Sequence, residues 1–268
     1  MSLSLYSPSC SNTLSSILDD LQAFATQRDT VYWDKAAGAA VARRERRIGV
    51  LVLDSRPLSE GVRDQIVQVI VETARKDGTS LFDFAAPEVG GLQQRVAWVS
   101  ARHPSLSLPD LSTEAVLSRA GEWVPLYIGK ATTAAQLRKI SLTDVLWGLL
   151  SYEEQQAVER IAPTHITVPT GSRIALEYRQ GADAPVLRVR LQECFGLSDT
   201  PRVDGSPILM ELLSPGFKPV QLTSDLASFW SGTYFEVRKE LRRRYPKHHW
   251  PDNPLEAEPV RGIKKKTV

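Results

Sequence analysis

The spacing of apolar residues changes at Pro163, and this change constrains the fold more than any other feature of the sequence. Before Pro163 apolar residues recur at about every 3.6 positions, as on one face of a helix, and the clearest stripe is Leu142, Val145, Leu146, Leu149 and Leu150. After Pro163 they alternate with polar residues, as in Leu187, Val189 and Leu191. The sequence therefore predicts an α+β chain in which a helical region ends near Pro163 and a β-rich region follows it.

The residues before the helical stretch are predicted to be strands. Gly38 separates two β-prone runs and indicates a hairpin. The apolar run from Val50 to Leu53 is typical of a buried strand. The predicted fold is an N-terminal β-hairpin with a helical middle region, then a small β-rich domain closed by C-terminal helices. The expected ranges are a tail with a short helix between Thr13 and Thr26 (1–28), the hairpin and helical region (29–162), the β-rich domain (163–250) and a frayed basic tail (251–268).

Local signals place the ends of several helices. Gly78 is expected to end a first helix, and Pro104 to stop a second that spans residues 87–102. Pro125 lies inside a third helical pattern, where it predicts a kink or break. Ser151 and Glu154 have the spacing of a capping box, so a helix should begin between them and reach about Ile161. Thr223 or Ser224 is expected to cap a later helix.

Composition and motifs exclude several classes of protein. The 268 residues carry a net charge of only +2, so the overall charge predicts no partner. Cys10 and Cys194 are far apart and match no metal or redox spacing, which favours a reducing, cytoplasmic setting. The sequence has neither an apolar run long enough for a membrane span nor a secretion signal. Phosphate-cradling P-loop, nucleophile-elbow and zinc-helix motifs are also missing, so we expect no catalytic residue and no metal site on this chain.

Arginines are the candidates for binding. Arg43, Arg44, Arg46 and Arg47 surround Glu45, and on a strand Arg44 and Arg46 share one face while Arg43 and Arg47 share the other. Guanidinium groups at this density suit phosphate contact. The alternative is a solvated strand whose charge prevents edge-to-edge association.

Two further arginines lie on one predicted strand face. Arg188 and Arg190 are two residues apart, a spacing of about 6.6 Å along a strand that is similar to the spacing of backbone phosphates. They can contact RNA, or they can pair with Glu177 or Glu193.

The C-terminal helix, expected from about Thr233 to Tyr245, combines aromatic and cationic residues. Its buried stripe is predicted to be Tyr234, Val237, Leu241 and Tyr245. The remaining cations suggest a phosphate-facing ridge, with Arg238, Arg242, Arg243 and Lys247 as the expected contacts. Trp230 and Trp250 are expected to anchor the core rather than to stack on bases.

Several strings of the sequence together resemble a known family. The stretches PTHITVPTGSRIALEY, VLRVRLQECFG and LLSPGFKPVQLTSDLASFWSGTYFEVRKELRRRYPKHHWPDNP are similar to the C-terminal extension of bacterial HrpB-type ATP-dependent helicases, which are relatives of the DEAH-box RNA helicases. Upstream, VYWDKAAGAAVARRERRIGVLVLDSRPL resembles the segment before that extension. The resemblance covers residues 29–262, while residues 1–28 show no clear match.

The resemblance implies a role in a helicase but no ATP hydrolysis by this chain alone. In the family, ATP and Mg belong to two RecA-like motor domains, and none of the motor motifs occurs in this sequence. The chain resembles the C-terminal third of such a helicase, as an excised fragment or a truncated gene product. We expect an accessory region that hydrolyses no ATP alone and binds RNA or single-stranded nucleic acid, a helicase motor or another protein. The alternative is a protein-interaction or scaffold module that never binds nucleic acid.

Overall fold

The fold is described from a computed structural model that covers residues 24–58 and 60–262. Within these ranges the chain divides into two compact units, which are described one by one. The first contains residues 24–84 and 113–142, and the second contains residues 85–112 and 143–262. No helix in this part of the chain is both long and apolar enough to span a membrane. The expected order of hairpin, helices, strands and closing helices is confirmed.

A three-stranded antiparallel sheet opens the first unit. Its strands are β1 (Thr26–Asp34), β2 (Ala39–Ile48) and β3 (Leu51–Pro57), paired in the order β1-β2-β3. Gly38 has a φ of 59° in the first turn, a left-handed conformation that glycine adopts without strain. The predicted hairpin is therefore confirmed. The short helix expected between Thr13 and Thr26 lies outside the described residues up to position 23, and Thr26 already belongs to β1.

The prediction that Val50 to Leu53 are buried is wrong. Val50 is 97% exposed at the tip of the β2–β3 hairpin, and Leu51 is 62% exposed. β3 pairs with β2 alone, so it is an edge strand of its sheet. An apolar run predicts a strand correctly here, but whether anything covers that strand depends on tertiary packing.

The helices follow the sheet in the chain. They are α1 (Arg63–Leu81), α2 (Pro87–Arg102), α3 (Thr113–Ser118), α4 (Ala120–Tyr127), α5 (Ala134–Leu137), α6 (Leu142–Gly148) and α7 (Tyr152–Ile161). α2 ends before Pro104 and α7 begins at the Ser151–Glu154 capping box, both as predicted. α1, α3, α4 and α5 belong to the first unit, whose buried side chains include Ile70, Val71, Ala74, Phe82, Trp123 and Val124.

Two predicted helix boundaries need correction. The helix expected to end at Gly78 is interrupted one residue earlier, at Asp77, whose backbone is not helical, and a further turn then continues α1 to Leu81. Gly78 is needed for packing instead, since a Cβ atom there would lie 2.2 Å from Leu117. The break expected at Pro125 falls earlier, at Arg119 between α3 and α4, and Pro125 remains inside α4. In so short a helix the proline removes a single intrahelical hydrogen bond.

The second unit is built on a five-stranded sheet. Its strands are β4 (His165–Thr167), β5 (Arg173–Glu177), β6 (Val186–Arg190), β9 (Leu209–Leu213) and β10 (Pro219–Thr223), in the order β10-β9-β6-β5-β4. β6 and β9 are parallel and the other neighbours are antiparallel. A small hairpin of β7 (Arg202–Val203) and β8 (Ser206–Pro207) lies between β6 and β9 in the sequence.

Two helices close the second unit. α8 (Leu226–Ser231) is capped by Asp225, whose carboxylate accepts from the Ser228 amide, so the cap expected at Thr223 or Ser224 lies one residue further on. α9 (Tyr234–Arg244) buries Tyr234 and Leu241 as predicted, while Val237 and Tyr245 are only half-buried. Residues 251–262 are not frayed, because the Gly196 amide donates to Pro254 and the Val260 amide donates to Gln192.

Candidate nucleic-acid interface

Arg44 and Asp29 form a two-pronged ion pair across β1 and β2. The Arg44 Nε and Nη2 atoms lie 2.7 and 2.8 Å from the two Asp29 carboxylate oxygens. The hydrogen bonds from Arg44 lower the pKa of Asp29, and the same contacts raise the pKa of Arg44. Arg44 therefore already has an internal anion for a partner.

The other three arginines of β2 differ in their ion pairs and hydrogen bonds. Arg47 lies 2.7 Å from Glu45, which is buried to 9% exposure. Arg43 donates to the Ser55 hydroxyl at 3.4 Å and forms no ion pair with a described residue. Arg46 forms no ion pair within the described chain. Glu45 alternates with its neighbours on the strand, so it shares a face with Arg43 and Arg47. Its carboxylate forms an ion pair with Arg47.

The two arginines of β6 are paired as well. Arg188 lies 3.0 Å from Glu211 on the neighbouring strand β9, and Arg190 lies 2.8 Å from Glu193. Glu193 was one of the two acids expected as partners, whereas Glu211 was not. Parallel pairing of β6 with β9 places Arg188 directly opposite Glu211, which the sequence alone does not reveal.

Arg238 has a structural position. Its guanidinium donates to the Trp250 carbonyl at 3.2 Å and to the Asp252 carboxylate, and its side chain is only 16% exposed. These contacts fasten the segment after α9 to the helix. Arg238 thus lies apart from the exposed cations of α9.

The other cations on α9 and just after it are exposed. Lys239, Arg242 and Arg243 on the helix and Lys247 after it make no ion pair with any described residue, while Arg244 lies 6.0 Å from the centroid of the Tyr245 ring. Phe235 lies one turn before Lys239 and is 47% exposed. Successive residues of a helix are rotated by about 100°, so Phe235, Lys239, Arg242 and Arg243 form one continuous surface on a flank of α9. The Phe235 end of this surface borders the core, because the Phe235 and Tyr234 ring centroids lie 5.7 Å apart. We call Phe235, Lys239, Arg242, Arg243 and Lys247 the α9 ridge.

The sequence-based reading missed Phe235 and Lys239 as members of this ridge. The same helical spacing that assigns Tyr234 to the core would have placed both on one flank with Arg242 and Arg243. Positive charge in the last turn of a helix is also favoured by the helix dipole, which accounts for part of the pattern. The Phe235 ring also has packing contacts, since it lies edge-on to Tyr234 and lines a cavity of about 360 Å³ with Trp230 and Leu255.

The tryptophans are core residues, as predicted. Trp230 is 4% exposed and donates to the Leu197 carbonyl at 2.7 Å, and Trp250 is 7% exposed and donates to Tyr245 at 2.9 Å. Trp230 also packs edge-on against Tyr234, with ring centroids 5.3 Å apart. Neither indole ring is available for stacking on a base.

The described residues hold no group of three or more His, Cys, Asp or Glu side chains that could bind a metal ion. Cys194 is fully buried, and burial raises the pKa of its thiol far above the usual range. His248 is held by the Gln192 side chain at 3.0 Å, and burial together with the nearby Arg190 lowers its pKa. Cys194 and His248 therefore have structural positions in this unit.

Comparison with known proteins agrees with this architecture. Residues 123–254 match the family model described as ATP-dependent helicase C-terminal, and residues 24–58 match the connector region of the ATP-dependent RNA helicase HrpB. The ATP-dependent RNA helicase HrpB of Escherichia coli (strain K12) is 37% identical over 241 residues. That alignment covers 89% of this chain and 30% of the E. coli protein.

Two solved structures are similar to this chain. The crystal structure of the E. coli DExH-box NTPase HrpB gives a TM-score of 0.71 at 34% identity and covers 92% of this chain and 31% of that one. The crystal structure of the Escherichia coli DEAH/RHA helicase HrpB gives a TM-score of 0.62 at 36% identity, over 85% of this chain and 29% of that one. The class of protein is therefore the connector and C-terminal part of an ATP-dependent helicase. In particular, the chain belongs to the HrpB family, as the resemblance of its sequence strings predicted.

Proposed function

We propose that this chain supplies an accessory RNA-binding surface to an ATP-dependent helicase and hydrolyses no ATP on its own. One observation carries the proposal: the α9 ridge presents four exposed cations that form no ion pair with any described residue, beside a half-exposed aromatic ring. The E. coli relative is named an RNA helicase, and this makes RNA the proposed ligand. The sequence contains no P-loop, which supports a role without catalysis.

The ten arginines and lysines first considered do not contribute equally to this proposal. Arg44, Arg47, Arg188, Arg190 and Arg238 each have a carboxylate partner, so their net attraction for phosphate is reduced. Arg242, Arg243 and Lys247 on the ridge form no ion pair with any described residue, and neither does Arg46 on β2. Uncompensated surface cations are the groups that release counter-ions from a nucleic-acid backbone.

The salt dependence of RNA binding tests the proposal. Four phosphate contacts on a single strand predict a slope of about −2.8 in log K against log salt, which is about a 50-fold loss of affinity between 50 and 200 mM. The double variant Arg242→Gln/Arg243→Gln should bind less tightly and with a slope smaller by about 1.4. Binding is measured by fluorescence anisotropy of a labelled single-stranded RNA.

A matched control separates the ridge from overall charge. Arg119→Gln/Arg179→Gln removes the same number of charges from arginines that are paired with Glu122 and Glu177. This variant should keep the wild-type slope. If both double variants weaken binding equally, the ridge has no special role, and if the wild type retains no RNA at low salt the proposal fails.

A second candidate function is protein docking without nucleic acid. Its support is the exposed tip of the β2–β3 hairpin, where Val50, Leu51, Val52 and Leu53 are all at least 42% exposed. Exposed contiguous apolar residues are typical of interaction sites. Val50→Ser/Leu51→Ser should then abolish binding to the part of the E. coli relative outside the matched third, while RNA affinity stays unchanged.

A further inference from the structure

Phe217 is an exposed aromatic residue in a backbone conformation that such residues rarely adopt. It lies in the turn from Ser214 to Lys218 that joins β9 to β10, has a φ of 59° and is 65% exposed. The turn is well defined, because the Phe217 amide donates to the Ser214 carbonyl at 2.9 Å and the Lys218 amide donates to the Ser214 hydroxyl at 3.1 Å. Glycine or asparagine would fit this position with less strain. A bulky ring held here indicates a function for the ring.

The ring rests on a fixed cation. The Arg190 guanidinium carbon lies 5.1 Å from the centroid of the Phe217 ring. Arg190 is held in turn by Glu193, which is 4% exposed and accepts from Thr170 at 3.0 Å and from Ser172 at 2.6 Å. Glu193 therefore orients Arg190 beneath the ring and offsets its charge. The ring is supported on the Arg190 side and is accessible to solvent.

Two exposed cations lie in chain segments that adjoin the ring or its support. Lys218 is the next residue in the turn, is exposed and lines a cavity of about 160 Å³ together with Arg244 and Glu240. Arg261 is exposed and donates to the Thr170 carbonyl at 3.3 Å, so it lies next to the Glu193 cluster. Thr170 links Arg261 to Glu193, which holds Arg190. Lys218 in the same turn and Arg261 beside Thr170 are thus the exposed cations of the segments around Phe217.

We infer that Phe217 is a stacking platform for one unpaired base of single-stranded RNA, with Lys218 and Arg261 near the adjoining phosphates. This inference rests on the proposed function and adds a second contact point at the β9–β10 turn. An aromatic face stacks on any base, and a cation on its other face strengthens the platform, so the site should tolerate different sequences. Among the described aromatic residues Phe217 combines high exposure, a supported ring and neighbouring cations.

The test compares two ligands of about 12 nucleotides, a single-stranded oligouridine and an abasic ribose-phosphate strand of equal length. Loss of the ring in Phe217→Leu should weaken binding of oligouridine about 5- to 150-fold and leave binding of the abasic strand unchanged. Phe217→Tyr should restore binding. Tyr152→Leu is the matched control, because Tyr152 is 74% exposed and has no cation–π partner in the described chain.

The outcomes separate this inference from the proposed function. If Phe217→Leu binds both strands like the wild type while the Arg242/Arg243 variant does not, the stacking site is refuted and the α9 ridge stands. Equal losses on both strands would also refute stacking, since they would indicate a change in fold or in charge. A wild-type chain that binds neither strand at low salt overturns both proposals.

Discussion

Glu193 holds the guanidinium group of Arg190 at 2.8 Å while it also accepts hydrogen bonds from the hydroxyl groups of Thr170 and Ser172. One buried carboxylate thus joins the end of β6 to the turn before β5. Burial by itself would raise the pKa of Glu193, but the hydrogen bonds from Ser172, Arg190 and Thr170 outweigh it and lower the pKa. The ionised form of Glu193 therefore stabilises the folded state.

The first prediction concerns Glu193 and pH. Because its pKa is lower in the folded protein than its ordinary value of 4.5, its contribution is present above that pH and is lost as the pH falls through the folded pKa. Glu193→Gln should cost about 1–3 kcal/mol of unfolding free energy at pH 7, and the difference should shrink below about pH 4.5. Urea unfolding at several pH values measures both quantities. A pH-independent difference would contradict the assignment.

The second prediction concerns Arg95, a buried cation in α2. Its Nε atom donates to the Ala162 carbonyl at the end of α7, it lies 3.0 Å from Glu159, and its side chain is 6% exposed. Arg95→Met should lower stability by about 2–3 kcal/mol, since the carbonyl groups at the helix end lose a charged donor. Arg160→Met changes an exposed arginine in α7 and should be nearly neutral. Thermal unfolding of both variants decides the point, and equal effects would count against the capping role.

The third prediction uses two helical glycines. A Cβ atom at Gly78 would lie 2.2 Å from the Leu117 side chain, whereas nothing lies within 4 Å of one at Gly91. Gly91→Ala should raise the unfolding free energy by up to about 1 kcal/mol through helix propensity. Gly78→Ala should instead lower it by about 1–3 kcal/mol through overpacking. Denaturant unfolding measures both signs, and a gain at Gly78 would show that Leu117 moves freely.

The fourth prediction compares two buried tryptophans. The Trp123 indole donates to the Val116 carbonyl at 2.9 Å, whereas that of Trp98 is buried with no partner among the described residues. Trp123→Phe should therefore cost about 1 kcal/mol more than Trp98→Phe, because only the former loses a hydrogen bond. Calorimetric melting of the two variants provides the measurement. Equal costs would mean that Trp98 has a donor contact outside the described residues.

Local signals in the sequence were sufficient to predict those features of the structure that depend on residues close together in the chain. The capping box of Ser151 and Glu154, the span of α2 and the strand alternation after Pro163 follow from contacts within a few residues. The burial of Trp230 and Tyr234 was also predictable, since both continue an apolar pattern. Family membership was predictable because whole strings of the sequence carry it.

Only the tertiary structure decided which charged and apolar groups have partners. Arg188 meets Glu211 because β6 and β9 are parallel neighbours, and Val50 is exposed because no described segment covers the tip of the β2–β3 hairpin. Both depend on contacts between distant segments, and a short sequence window contains no information about those contacts. The sequence by itself determined the family, the elements and the candidate cations. The fold decided which of these cations are paired with carboxylates and which are exposed on the α9 ridge, because Coulomb attraction acts between neighbours in space rather than along the chain.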